Sequence, residues 1–174
     1  MMRLSFTVGG ARATFESRLA DEVAGVLDNA FGAEGDWEGV TPRHFGESDR
    51  DGWADLQRRA VEELGHEGAT NLLAMGNEAR GVYLPTHVRA VLLPMSRGES
   101  LRCASLPGLR RELSELCDRW ELPLDDDGLK ALLVEDSEEG GVADAPEVSV
   151  LARLALAANE AVRRDCPLWL VGGV

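Results

Sequence analysis

The sequence predicts a single α+β domain spanning residues 1–174: a mainly antiparallel sheet of about four or five strands, with about five helices packed on one face of it. Three observations lead there. Helix-period stripes and short apolar runs follow one another as β-α-α-β-β-β-α-α-α-β, so strands cluster and helices cluster. The chain has 174 residues, 44% apolar and 28% charged, which suits one domain with a core that needs no metal or disulfide. No fixed-period repeat and no linker divides it into two cores.

The elements follow from spacing. In Arg3–Val8 the residues Leu4, Phe6 and Val8 alternate with polar ones, as in a strand with one buried face, and Gly9-Gly10 ends it. From 14 to 31, Phe15, Leu19, Val23, Val26, Leu27 and Phe31 step by threes and fours along one helix stripe. Thr14 is its expected cap and Gly32 its stop. Residues 32–52, acidic and rich in Gly, read as an exposed loop anchored by Trp37 and Phe45. A second helix is expected over about 53–64, capped by Asp49 or Asp51 and closed by Gly65 and Gly68.

The middle reads as three strands, at 72–75, 81–84 and 88–93, the last with Val88, Ala90 and Leu92 inward and His87, Arg89 and Val91 outward. Ser105 and Pro107 start a third helix over 106–120, with Leu109, Leu113, Leu116, Cys117 and Trp120 on its apolar side. Asp125-Asp126-Asp127 opens a short helix, where acids oppose the positive end of the dipole. Residues 135–145 are expected to be an exposed, mobile acidic loop. Pro146 starts a last helix to about 164 whose wide apolar surface marks it as central, and Leu168–Val171 reads as a final strand.

Charge excludes some functions. With 31 acids against 18 basic residues the formal charge is −13, which argues against nucleic acid or an anionic membrane as a partner. Lys130 is the one lysine, and the bias to Arg, Ala and Gly suggests GC-rich bacterial coding. No apolar run is long enough for a membrane span or a secretory signal, so the expected location is the cytoplasm. Cys103, Cys117 and Cys166 are odd in number and widely spaced, so reduced thiols are expected and neither a disulfide framework nor a zinc knuckle.

Mechanistic motifs are missing: there is no phosphate loop, HExxH, GxSxG elbow or dinucleotide fingerprint. Asp125-Asp126-Asp127-Gly128 is out of register for an EF-hand, since Pro123 and Val134 occupy the first and last ligand positions. His44, His66 and His87 stand in three segments, and only folding can gather them into a site. Cys103 beside Arg102 is the best candidate nucleophile, because a guanidinium lowers a thiol pKa. No cofactor and no metal are expected.

The signal that stands out is segregated charge. Residues 121–147 carry ten acids against Lys130, a net −9. Residues 79–111 carry Arg80, Arg89, Arg97, Arg102, Arg110 and Arg111 against Glu99, a net +5. Either these arginines pair with acids inside the fold, or they form a patch for an anionic partner, since the planar fork bonds carboxylates and phosphates bidentately. Asp136, Glu138, Glu139 and Asp144 form a matching face for a basic partner. Trp37, on the Gly-rich loop, is the tryptophan expected to be exposed, with Trp53, Trp120 and Trp169 in the core.

The function expected is therefore a non-enzymatic accessory protein, an adaptor, inhibitor or immunity-type protein acting through protein–protein contact. The alternatives are a small enzyme built on the histidines and nearby acids, and a binder of anionic ligands through Arg80–Arg111. Self-association is compatible with the sequence but not derivable from it.

Overall fold

The computed structural model describes residues 3–32, 37, 40–76, 80–138 and 145–172. Its strands are β1 (Arg3–Val8), β2 (Arg43–Asp49), β3 (Arg80–Leu84), β4 (Val91–Pro94), β5 (Ser100–Ser105) and β6 (Leu168–Gly172). Its α-helices are α1 (Ser17–Phe31), α2 (Arg50–Gly68), α3 (Thr70–Ala74), α4 (Leu106–Arg119), α5 (Asp126–Glu138) and α6 (Pro146–Arg164). The α+β class is as expected. Among the described residues the sheet has six strands in the order β2-β1-β6-β3-β5-β4, and it is mixed, because β3 and β5 run parallel.

Helices cover both faces, not one. The alternation in β1 turns Leu4, Phe6 and Val8 into one core with Leu168 and Leu170 of β6 and the apolar sides of α2, α4 and α6. The opposite parity, Val82 of β3, Leu101 and Cys103 of β5 and Trp169 of β6, packs under α1 through Val23 and Leu27. Phe15 closes that second core edge-on against Trp169, with ring centroids 5.5 Å apart. Helix α6 lies against α2, α4, α5 and three strands, the central place its wide apolar surface implied.

Several expected termini hold. Asp49 accepts the Gly52 N–H at 2.6 Å and caps α2, and Ser105 accepts the Gly108 N–H at 3.0 Å and caps α4. Asp125 does the same for α5, accepting from Gly128 at 2.9 Å, so the aspartate run has a structural use. Gly65, with φ of 75°, breaks the helical path of α2, a left-handed conformation that glycine adopts without strain.

Other expectations fail for traceable reasons. Thr14 does not cap α1, which begins at Ser17 after a separate 3₁₀ turn over Ala11–Ala13. The run at 72–75 lies in and just after helix α3 and is not a strand. The Glu112 carboxylate of α4 accepts the Asn71 and Leu72 N–H groups at 3.0 Å, a cap supplied from far along the chain. Residues 43–49 form edge strand β2 inside the expected loop; its side chains are too polar to show an apolar alternation. Strand β5, unexpected from the sequence, mixes Ser, Arg and Cys.

The strand at 88–93 starts later than expected, at Val91. Its register, Val91 opposite Cys103 and Leu93 opposite Leu101, turns Val91 and Leu93 to the α1 side and reverses the expected parity. Helix α5 continues to Glu138, through residues assigned to the acidic loop, while 139–144 lie outside the described residues.

Candidate binding surface

Folding divides the arginine segment. Arg80 on β3 pairs with Glu99. Arg102 on β5 donates to the Ala74 carbonyl at 3.3 Å and lies against Gly76. Arg110 on α4 donates to Asn159 Oδ1 at 2.6 Å. These three are absorbed by the fold. Arg89, Arg97, Arg111 and His87 are exposed. Arg89 precedes β4 and Arg97 follows it, so the two stand at opposite ends of one edge strand. Arg111 sits apart, on α4.

Strand β4 pairs with β5 on one side and with no strand on the other among the described residues. Its side chains are unusually bare for apolar types: Val91 is 39% and Leu92 52% exposed. Leu92 is opposite Arg102 and so lies on the face away from α1, beyond the reach of the helices that cover the rest of the sheet. The loop to β5 is a tight turn in which Arg97 and Gly98 take φ of 59° and 73°. Helix α1 pins it: the Ser96 N–H and hydroxyl donate to the Glu22 carboxylate at 2.6 and 2.9 Å. That backbone bond, followed by the hydroxyl bond and the nearby Arg18 and Arg97 charges, holds the Glu22 pKa below its ordinary value. The strand edge is thus held in place before any partner arrives.

The other site expectations resolve variously. Trp37 is half-buried and packs against both cores, so it is not the exposed aromatic expected of an interface. Trp53 and Trp169 are fully buried, and Trp120 is half-buried under the Arg59 guanidinium, 4.3 Å from its ring centroid. Asp136 and Glu138 belong to the end of α5, their side chains outside the described set, as are Glu139 and Asp144 altogether. Cys103 is not activated. It faces the α1 core while Arg102, its neighbour, points to the other side of the sheet. Burial pushes its thiol up to about 12, the reverse of what a nucleophile needs.

The histidines sit on β2, in the last turn of α2 and between β3 and β4. Among the described residues no group of three or more His, Cys, Asp or Glu is arranged to hold a metal ion. No described helix is long and apolar enough to cross a membrane.

Two of the cavities lined by described residues carry polar groups. The larger, of about 580 Å³, is bounded by α4, α5 and α6 and carries Arg110, Asp126, Lys130, Asn159 and Arg163. Its charges answer each other. Arg163 donates twice to Asp126 at 2.8 Å, and Asn159 links Asp126 to Arg110. Desolvation acts to raise the Asp126 pKa, but the Arg163 and Asn159 hydrogen bonds and the Arg163 and Lys130 charges outweigh it, leaving a lowered value. The smaller cavity, of about 290 Å³, lies over β1 and β2.

No family model matches the chain, and no match was found among curated proteins or solved structures.

Proposed function

We propose that this chain is a non-enzymatic protein-binding module, of the adaptor, inhibitor or immunity type, whose β4 edge accepts an extended acidic segment of a partner protein. The observation that carries this is the half-exposed Leu92 and its neighbour Val91 on a strand edge with no partner strand among the described residues, flanked by the exposed Arg89 and Arg97. An unpaired edge offers backbone donors and acceptors to an added strand, while side chains of alternate parity supply specificity. The two guanidinium groups supply bidentate carriers for carboxylates at both ends. Pro94 closes the strand at one end, so pairing is confined to the Val91–Leu93 stretch.

A second copy is a poorer occupant than an acidic segment. Antiparallel pairing of two β4 strands sets the Arg89 end of each against the Arg97 end of the other, juxtaposing like charges. The setting that goes with this reading is a bacterial cytoplasm, in keeping with three buried free cysteines.

The test uses a dye-labelled peptide alternating Glu and Val, with a Lys/Val peptide as control, read by fluorescence anisotropy. The acidic peptide should bind and the basic one should not. Leu92→Lys, and Arg89→Glu combined with Arg97→Glu, should each weaken binding by about tenfold or more. Added salt should weaken it further, because the Debye length falls below the distances involved. Equal binding of the basic peptide, or unchanged affinity in both variants, would overturn the proposal.

A further inference from the structure

We infer that the smaller cavity, over β1 and β2, is a binding site for a neutral polyhydroxylated ligand of about monosaccharide size. It is independent of the β4 edge and of the reading built on it.

The site is made by a defect in the sheet. β1 and β2 pair with Ser5 opposite Glu47 and Thr7 opposite His44, so Phe45 and Gly46 together oppose Phe6. At this bulge Gly46 takes a φ of 85°, a left-handed conformation that glycine adopts without strain. Without the extra residue, His44 and Glu47, three positions apart, would point to opposite faces of the sheet. With it, both join Ser5 and Thr7 on one face, while Phe45 turns to the other and packs on the main core. Bulges re-aim side chains in this way at the edges of sheets and beside functional sites.

The lining is rich in groups that both donate and accept. The Thr7 hydroxyl is 2.8 Å from His44 Nδ1, and Thr7 itself is 3% exposed. Whichever ring nitrogen carries the proton, that contact occupies one and leaves the other for a ligand. Ser5 Oγ donates to the Val171 carbonyl at 3.3 Å and retains its acceptor capacity. Thr14 overhangs the same cavity, and its Oγ1 is buried with no hydrogen-bond partner. An orphaned buried hydroxyl is costly. Other staggered χ1 rotamers are open to it and redirect the hydroxyl of a residue that already lines the cavity.

The chemistry of the occupant follows. Among the described residues no lysine or arginine lines the cavity, so a free anion finds no unengaged countercharge in that lining. Glu47, the one carboxylate among the described lining residues, already pairs with Arg3 at 3.4 Å, which meets its need for a cation. What remains is a set of hydroxyls, an imidazole and the apolar side chain of Val171, matched to a molecule with hydroxyls on a carbon frame. A volume of about 290 Å³ corresponds to roughly ten waters, room enough for a five- or six-carbon polyol.

Saturation-transfer NMR on the full chain with ribose, glucose and myo-inositol tests the inference, with choline and inorganic phosphate as charged probes. At least one polyol should bind, and neither charged probe should. Thr14→Val and His44→Phe should each weaken that binding by about tenfold, as sites built to bond a hydroxyl are sensitive to the loss of a partner. Thr14→Val should at the same time keep or raise Tm, because it removes an unsatisfied buried group, so loss of binding cannot be ascribed to unfolding. Leu92→Lys should leave polyol binding unchanged, separating this site from the β4 edge. Absence of polyol binding to the wild-type chain, equal binding by both variants, or preference for choline or phosphate would each overturn the inference.

Discussion

Glu112 shows how one residue of this chain acts at a distance. The residue is 2% exposed, and its carboxylate accepts from the Asn71 and Leu72 backbone and from Asn71 Nδ2, and so starts α3 from another helix. Burial raises its pKa, opposed by those hydrogen bonds and by Arg111. Beside it, Tyr83 donates to the Asn71 carbonyl and has its pKa raised by burial and by the Glu112 charge. The buried thiols behave alike: desolvation pushes Cys103 up to about 12 and Cys117 to about 11, from an ordinary 9.0. In the unfolded chain these thiols ionise first, so above pH 9 the unfolded state binds fewer protons than the native state. Stability should therefore be full below pH 9 and fall steadily as pH rises toward 12. Denaturant midpoints measured across that range should show the decline, and Cys103→Ala should make it shallower. A flat profile would mean that the thiols are open to solvent.

Among elements, α4 and α6 carry the main core. The stripes that mark them in the sequence are buried as expected, with Leu113 and Leu154 both fully enclosed. Replacing either with Ala should cost about 2–5 kcal/mol in chemical denaturation, from lost transfer energy and the cavity left behind. A change near zero at both would place those stripes in solvent. The contrast is β4, where Leu92 is half-exposed and touches the core little. There Leu92→Lys should shift stability by no more than about 0.5 kcal/mol while changing peptide binding, the signature of a residue kept for contact and not for folding.

At the scale of the molecule, charge is distributed unevenly: net +5 over residues 79–111 and net −9 over 121–147, in a chain of −13. The fold absorbs Arg80, Arg102 and Arg110 of the positive segment, leaves Arg89 and Arg97 at the β4 edge, and sets Arg111 apart on α4. Neutralising Asp136, Glu138, Glu139 and Asp144 together should leave stability within about 0.5 kcal/mol of the parent chain. It should slow association with a basic partner at low salt and hasten it with an acidic one, since long-range steering follows the summed field. Stopped-flow rates at low and high salt measure both effects. Unchanged rates would confine these acids to solubility, and unfolding would mean that they pair within the fold.

Local physics was enough for much of this. Apolar periodicity identifies β1, α1, α4 and α6; Ser105 announces its helix, and Asp49 or Asp51 the second one; Leu168–Val171 declares a strand. These depend on neighbours within a turn or two, which the order of residues contains directly. Tertiary structure alone decided what depends on distant partners. The last strand enters the sheet between the first and the third, and β5 slips between β3 and β4 to make the one parallel pair among the described strands. A run that looks like a strand at 72–75 becomes mainly helix because a carboxylate forty residues on caps it. The six arginines read alike in sequence; pairing across the fold hides Arg80, Arg102 and Arg110 and leaves Arg89 and Arg97 at an edge. His44 gains its place beside Thr7 only through a bulge in a polar strand that periodicity cannot detect, since no apolar face marks it.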